Sequence, residues 1–372
     1  MRIEPFAMER FQSLWENVVE YNLSESGVHP LRLEELASRD ELQQLVQTPL
    51  GYNQTNGSLE LRATVASLYE GGSVENVLVT TGSSEANFLS ILCLIEKGDE
   101  VALMLPNYMQ IWGASRAFGA DVRPFHLVPT KDRWQLDWEE FDSVVSKRTK
   151  LIAVCNPNNP TGAQLGDYEI DRICDVASRA DAWILSDEVY RGAERIGDTT
   201  PSFWGHYDKV IVVCGLSKAY GLPGLRIGWI VAPPALVDKL WSFHDYTTIC
   251  PSPLSDRLAR IALTSPKREE IINRTRRIVR SNFDIFNHWI AEHDGMLTCI
   301  PPVAGAIALV NYSLKIESLE LVTRLRKEKS VLVVPGEQFM MEHYLRFGFG
   351  SSNTFLEEAL QRISEFLESL SV

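Results

Sequence analysis

Clustered cysteine and histidine are missing from this chain of 372 residues. Its six cysteines, at 93, 155, 174, 214, 250 and 299, contain no C-x-x-C pair, and its seven histidines have no H-E-x-x-H spacing. A zinc site or a disulfide framework needs such clustering, so neither is expected. Most of the cysteines lie in apolar segments such as ILCLIEK and LIAVCNP, where a thiol serves as a small hydrophobe in a reducing compartment. Positive charge is also scarce. Against 49 Asp and Glu stand 36 Lys and Arg, a net charge of −13, which opposes the basic face that nucleic acid or an anionic membrane demands. No apolar run is long enough for a bilayer. The N-terminal stretch MRIEPFAMERFQSLWENVVEY has acids where a signal peptide has an apolar core. A cytoplasmic protein is expected, with small-molecule partners and neither nucleic acid nor membrane.

Apolar residues at 45% and charged residues at 23% are those of an ordinary globular protein, and the length exceeds one usual core. From about residue 74, fully apolar runs alternate with helical patterns. VENVLVTTG, EVALMLP, DVRPFHL, LIAVCNP, AWILSDEVY, KVIVVCGLS and RIGWIVAP read as seven strands. SSEANFLSILCLIEKG, MQIWGASRAFG, WEEFDSVVSKRT and EIDRICDVASRA read as helices between them. This alternation predicts an α/β fold, a mostly parallel seven-stranded sheet with helices on both faces. The last two strands are too close for a helical crossover, so one of them runs antiparallel. Beyond 235, helical stretches alternate with the short strands GAIALVNY, VLVVPG and YLRFGFG before a last helix, TFLEEALQRISEFLESL, which predicts a smaller α+β domain. The expected division is an N-terminal segment 1–45 joining the small domain, a large domain 46–250 and a small domain 251–372.

Open α/β sheets bind ligands beyond the carboxyl ends of their strands. Here those ends read TTGSSEAN, LPNY, NPNNPTG, SDEVY and GLSKAYG. Gly82, Ser83 and Ser84 mark a strand-to-helix turn whose N–H groups and helix dipole can hold a phosphate; alone, it also reads as a helix N-cap. In NPNNPTG two prolines fix either a turn presenting amides to a ligand or a rigid turn and nothing more. Asp187 and Tyr190 end an apolar strand, where a buried aspartate needs a cationic partner and a surface acid needs none. Lys218 lies in VVCGLSKAYGLPGLRIGWIV, residues 212–231. Burial in a pocket can lower a lysine's pKa and free its amine to form a Schiff base. Pyridoxal phosphate uses all of these groups at once: cradle, amide, phenol, acid and amine.

The ordered motifs Y-x4-G-x3-L-R (Tyr52, Gly57, Leu61, Arg62), TGSSEA, N-P-x-N-P-T-G, D-E-x-Y and S-K-x-x-G-x-x-G-x-R-x-G-W resemble those of the class I/II aminotransferases, of pyridoxal-phosphate fold type I. The resemblance extends over nearly the whole chain. It implies an enzyme that moves the α-amino group of an amino acid to a 2-oxo acid, with pyridoxal 5'-phosphate as cofactor. Lys218 is implied as the internal aldimine lysine and proton shuttle, work that a near-neutral pKa suits. The resemblance also implies that Asp187 pairs with the pyridine nitrogen, that Asn159 and Tyr190 bond the ring oxygen, and that Tyr108 stacks on the ring. Ser83, Ser84, Ser217 and Arg226 are implied to hold the phosphate at the Gly82 turn, and Tyr52 to reach the phosphate of a neighbouring subunit, hence a homodimer. Arg346, in HYLRFGFG, is implied to bind the substrate α-carboxylate beside Asn159, with Gly27 in the loop over the substrate.

One segment departs from the family pattern. NLSESGVHPLRLEEL replaces the more usual glycine–proline–aspartate sequence. With TTGSSEA, LSKAYGLPGLR and HDYTTICPSPLSDR it resembles enzymes of the capreomycidine synthase type, which eliminate a β-substituent and cyclise an arginine derivative. Elimination or cyclisation is therefore the alternative to transamination. His29, Arg191, Tyr246 and Thr247 are candidates for the side-chain end of the site, where no second arginine is assigned to a substrate carboxylate. A non-catalytic cofactor-binding protein would be expected to lack Lys218, Asp187 or Arg346, and all three are present.

Overall fold

A computed structural model describes residues 3–370. Its main sheet has β1 (Val77–Thr80), β2 (Glu100–Leu105), β3 (Asp121–Pro129), β4 (Trp134–Leu136), β5 (Thr149–Cys155), β6 (Trp183–Asp187), β7 (Val210–Gly215) and β8 (Gly228–Val231). Their spatial order is β1-β8-β7-β6-β5-β2-β3-β4. From β7 across to β3 every neighbouring pair is parallel. Strand β8 runs antiparallel to both β1 and β7, as its short connection requires. The sheet thus has eight strands where seven are predicted. The extra one, β4, is folded back antiparallel onto β3 by the turn in which the Thr130 N–H donates to Arg133 O. Three residues are too few to display an alternation.

Consecutive residues of each central strand face opposite sides. Leu151 and Ala153 join one core with Leu89, Ile111 and Leu240, while Ile152 and Val154 join another with Phe141, Ile173 and Ala259. Burying each Val, Leu or Ile contributes about 1.5–3 kcal/mol. With apolar layers on both faces, polar chemistry is confined to the strand ends.

The second sheet is antiparallel: β9 (Leu297–Cys299), β10 (Ile307–Tyr312), β11 (Val334–Pro335) and β12 (Tyr344–Gly348), in the order β9-β10-β12-β11. Phe286, Trp289, Phe347 and Phe349 centre its core, with Leu356 and Ile363 of the helix Asn353–Leu370. Tyr21–Asn22 pairs in parallel with Val331–Leu332, and Leu23 and Val28 enter the same core. Met8 of helix α1 (Ala7–Trp15) packs with Val334 and Phe339. The N-terminal residues are thereby tied to the second sheet. The helices Pro253–Leu263 and Ser318–Lys329 are among the elements not predicted; the latter buries only Ser318, Leu321, Val322 and Leu325 in a charged stretch, a narrow stripe to detect. Among the described residues, no helix is long and apolar enough to cross a membrane.

Candidate active site

The carboxyl ends of β1, β5, β6 and β7 open onto a cavity of about 310 Å³. Ser83, Ser84, Tyr108, Asn159 and Asp187 line it, together with Tyr190, Ser217, Lys218 and Arg226. Arg346, from β12, closes the same cavity from the second sheet.

One end is built for an anion. Helix α2 (Ser83–Leu94) starts after Gly82, whose φ of +83° suits glycine, and any side chain there would collide with the Arg226 guanidinium. Gly228 leaves room for the Gly82–Ser83 backbone, which a Cβ would strike. Arg226 itself sits at φ +50°, a conformation costing a non-glycine residue roughly 1–2 kcal/mol. It donates to Pro223 O at 3.2 Å and to Ser217 Oγ at 3.5 Å, and has no ion-pair partner among the described residues. Free N–H groups and the positive end of the α2 dipole face the same point. Behind the turn, Glu85 accepts from the Thr81 N–H at 2.6 Å and bonds His244 at 3.2 Å. Burial works against that carboxylate, but these bonds and one from Thr247 hold it ionised, down to about 2.

The middle holds polar groups with unmet needs. Asp187 is buried, and burial pushes its pKa up. Asn87 Nδ2 donates to its Oδ2 at 2.8 Å and the Val189 N–H to its Oδ1 at 3.2 Å, but no cation lies within ion-pair distance among the described residues. The expected cationic partner of Asp187 is therefore not among the described side chains. The Tyr190 hydroxyl is buried with no hydrogen-bond partner among the described residues. Asn159 accepts from Arg346 Nη1 at 3.0 Å, which leaves its NH2 donors for another acceptor. Arg346 is 1% exposed and donates through Nη2 to Ser24 O at 2.6 Å, while its Nε–H has no partner among the described residues. A protonated ring nitrogen, a ring oxygen and a phosphate would satisfy Asp187, Tyr190 and Arg226. The donor set fits pyridoxal phosphate.

Lys218 Nζ lies 2.7 Å from Glu25 Oε1. Burial draws the lysine pKa down, but the Glu25 carboxylate and Tyr190 outweigh it, and the net direction is up. Glu25, beside that cation, falls to about 2. The lowered, near-neutral amine expected of Lys218 is thus reversed in the chain alone, because an ion pair overrides desolvation. Glu25 belongs to the segment that departs from the family pattern, and that departure is its sequence signal. Glu9 and Gln12 on α1, and Glu16 just after it, also line the cavity and lie outside the sequence-predicted set. Their spacing of three and four places them on one helix face.

Other expected residues fall elsewhere. Gly27 is beside the cavity: a Cβ there would lie 3.6 Å from Lys218 Cδ. Tyr108 donates to Glu9 Oε1 at 2.8 Å, and Phe6 meets its ring edge-on with centroids 4.9 Å apart. Tyr52 is 88% exposed and lines no part of this cavity. Arg62 has a local role, donating to Gly57 O and Val74 O. His29, Arg191, Tyr246 and Thr247 are not in the lining, contrary to expectation. His29 bonds Gly350 O, Arg191 donates to Thr200 O, Thr247 serves Glu85, and Tyr246 projects into solvent.

Residues 23–363 match the family described as aminotransferase class I and II. The chain belongs to this family. It is 33% identical to the capreomycidine synthase of Streptomyces vinaceus over 356 residues, 93% of this chain and 89% of that protein. It is 28% identical to an aspartate aminotransferase of Sulfurisphaera tokodaii over 338 residues, 86% of this chain and 83% of the relative. A PLP-dependent aminotransferase from Streptococcus suis 89-1591 superimposes with a TM-score of 0.93 at 33% identity, covering 100% of this chain and 99% of that one. The PLP-dependent cyclase OrfR superimposes with a TM-score of 0.89 at 27% identity, covering 99% and 98%. The fold of this family member is accordingly that of fold type I, and the chain is an enzyme.

Proposed function

We propose that the cavity is the active site of a pyridoxal-phosphate-dependent aminotransferase that passes the α-amino group of an amino acid to a 2-oxo acid. The observation that carries this reading is the convergence on Lys218, among the described residues, of a buried aspartate without a cation, a buried tyrosine hydroxyl without a partner and an unpaired arginine at a helix N-terminus. Ser83, Ser84, Ser217 and Arg226 hold the phosphate at Gly82; Asp187 faces the ring nitrogen; Asn159 and Tyr190 take the ring oxygen; Tyr108 covers the ring. Bound there, pyridoxal phosphate supplies an electron sink for the substrate's α-carbon and a carrier for its nitrogen. Arg346 orients the substrate α-carboxylate with a planar guanidinium, a geometry lysine cannot reproduce. Lys218 Nζ takes the α-proton and returns it, and for this it must first lose the proton that Glu25 stabilises.

That ion pair sets a pH dependence. Lys218 must be neutral to capture the cofactor, and its raised pKa places the neutral form on the alkaline side. Uptake of pyridoxal phosphate by the apoprotein, followed by absorbance, is therefore expected to speed up as pH rises. In Glu25→Gln the same rise should begin at lower pH. An unshifted profile would refute the pairing as the controlling interaction.

A second reading, β-elimination with cyclisation, draws on the similarity to capreomycidine synthase and to the OrfR cyclase. Mixing the holoenzyme with a panel of amino acids in the absence of 2-oxo acid separates the two. Stoichiometric conversion to pyridoxamine phosphate supports transamination; ammonia released over many turnovers supports elimination. Neither change with any amino acid would sink the enzymatic reading.

A homodimer is part of the proposal. Val46, Leu50, Tyr52 and Leu59 are 55–88% exposed, Tyr246 and Ile249 are exposed as well, and Thr55 and Ser58 tie the first segment to Trp241 and Asp256. One apolar face of this kind suits a second copy of the chain, with Tyr52 reaching its phosphate. Light scattering should give a dimer, and Val46→Asp with Leu50→Asp should give a monomer with weaker cofactor binding; a monomeric native protein would exclude shared sites. Six free cysteines, four of them buried, support a cytoplasmic, reducing setting.

A further inference from the structure

Glu85 and His244 line no part of the cavity, yet they are bonded to the turn that closes one end of it. Glu85, the third residue of α2, accepts at Oε2 from the N–H of Thr81, the residue before Gly82, at 2.6 Å. Its Oε1 accepts from the hydroxyls of Thr247 at 2.5 Å and Thr248 at 2.8 Å. His244 Nε2 meets Glu85 Oε2 at 3.2 Å, and side-chain exposures of 0% and 8% keep water from replacing that contact. A carboxylate in the first turn of a helix is favoured by the dipole, but it repels a phosphate bound at the same N-terminus. The partners at 244–248 hold this one outside the cavity lining.

The same histidine holds a second segment. Its Nδ1–H donates at 3.1 Å to Thr55 O, a carbonyl that can only accept. Trp241, three residues earlier on the helix Pro234–His244, donates through Nε1 to Thr55 Oγ1 at 2.8 Å. Residues three apart share a helix face, so one face grips Thr55 by backbone and side chain together. Asn56 O accepts from the Val79 N–H at 3.1 Å, which fastens the next residue to β1, the strand leading into the phosphate turn. Three residues before Thr55 stands the exposed Tyr52. In the proposed function, on which this inference rests, Tyr52 reaches the phosphate of the partner subunit.

We propose that Glu85 and His244 are positioning residues shared by the two cofactor sites of a dimer. They brace the phosphate turn of their own subunit and, through Thr55, the segment that carries Tyr52 to the other. Neither touches the cofactor, so both act on its affinity through the residues they hold. Removing one member leaves the other buried without its bond, and the segments they join must shift to satisfy it. One substitution should therefore weaken two sites.

The test uses hybrid dimers of two differently tagged full-length chains, titrated with pyridoxal phosphate. One chain carries Lys218→Ala, so only the other, live, site gives the absorbance of lysine-bound cofactor. His244→Gln is placed either on the live chain or on the Lys218→Ala chain. Against the hybrid without it, binding at the live site should weaken about threefold or more in both placements. Glu85→Gln, which keeps an acceptor for the Thr81 N–H, should give the same pattern and serves where His244→Gln does not assemble. A control separates positioning from general destabilisation. With Tyr52→Phe already on the Lys218→Ala chain, adding His244→Gln to that chain should cost nothing further. An effect confined to the live chain, no effect in either placement, or a loss that persists beside Tyr52→Phe would each overturn the shared role. The underlying readings have their own readouts: a native protein that scatters as a monomer removes the dimer and this inference with it, whereas lysine-bound absorbance surviving in Lys218→Ala sinks the site assignment.

Discussion

Replacing Lys218 by alanine is expected to lower turnover by at least about a thousandfold, the range spanned by losing a general acid–base group that is also the nucleophile. The fold should survive the change. Lys218 is ion-paired to a Glu25 whose side chain is 52% exposed, so water can take over the carboxylate when the amine is removed. The amine is the more buried partner, and removing it also removes the cost of burying its charge, so the melting temperature of the apoprotein should barely move. Absorbance should change instead, because the band of the lysine-bound cofactor needs Nζ. A second substitution separates charge from proton transfer. Lys218→Arg keeps the cation beside Glu25 but does not deprotonate at accessible pH, so it should be as inactive as the alanine variant. Retention of a tenth of native activity by Lys218→Arg would show that Lys218 does not move the proton.

The cofactor loops are legible in the sequence for a physical reason. A strand buried on both faces admits only apolar residues, so the first polar groups beyond Val79, Val154, Leu185 and Val213 stand out, and they stand where α/β sheets bind ligands. Asp187 and Lys218 are singled out as candidates on that ground, each also open to a surface reading, while the role of Arg226 follows only from the family resemblance. The lining residues of the N-terminal helix cannot be picked out in this way. Glu9, Gln12 and Glu16 have helical spacing, yet a charged helix face ordinarily meets solvent, and only the docking of Met8 onto the second sheet turns this one inward. Glu25 is hidden for a different reason. Its meeting with Lys218 spans 193 residues, and no local pattern encodes a contact at that separation. His29 and Arg191 err in the opposite direction: their polarity signals chemistry, while the structure uses it on the backbone carbonyls of Gly350 and Thr200. Strand β4 and the helix Ser318–Lys329 escape detection because one is three residues long and the other buries a narrow stripe.

Asp187→Asn is expected to act in opposite directions on the apoprotein and the holoenzyme. In the apoprotein Asp187 is a buried carboxylate without a cation, and its pKa is raised by burial. A carboxyl group with a raised folded-state pKa stabilises most when protonated, and that contribution is lost as pH rises through the folded pKa. Above that point the ionised carboxylate is a standing penalty, which the neutral amide removes. The hydrogen bonds can be kept. Asn87 Oδ1 is buried without a partner, so turning the Asn87 amide lets it accept from the NH2 of the substituted side chain, whose oxygen keeps the Val189 N–H. One buried unpaired acceptor becomes one buried unpaired donor, and the balance is close to neutral. Calorimetry at neutral pH should therefore find the apoprotein melting at the native temperature or about 3 °C above it. With cofactor the order reverses. On the proposed assignment the ring nitrogen would lose the carboxylate that holds it protonated, electron withdrawal from the α-carbon would weaken, and turnover should fall by a hundredfold or more, of the order seen when preorganised electrostatic stabilisation is removed. The gain in melting temperature on adding pyridoxal phosphate should shrink in step, since ligand stabilisation follows affinity. An apoprotein that melts well below native would mean that Asp187 is structural. Unchanged cofactor affinity and turnover would remove it from the ring site altogether. The predicted pairing of a steadier empty fold with a failing loaded one is what a carboxylate kept for the cofactor, and not for the chain, should produce.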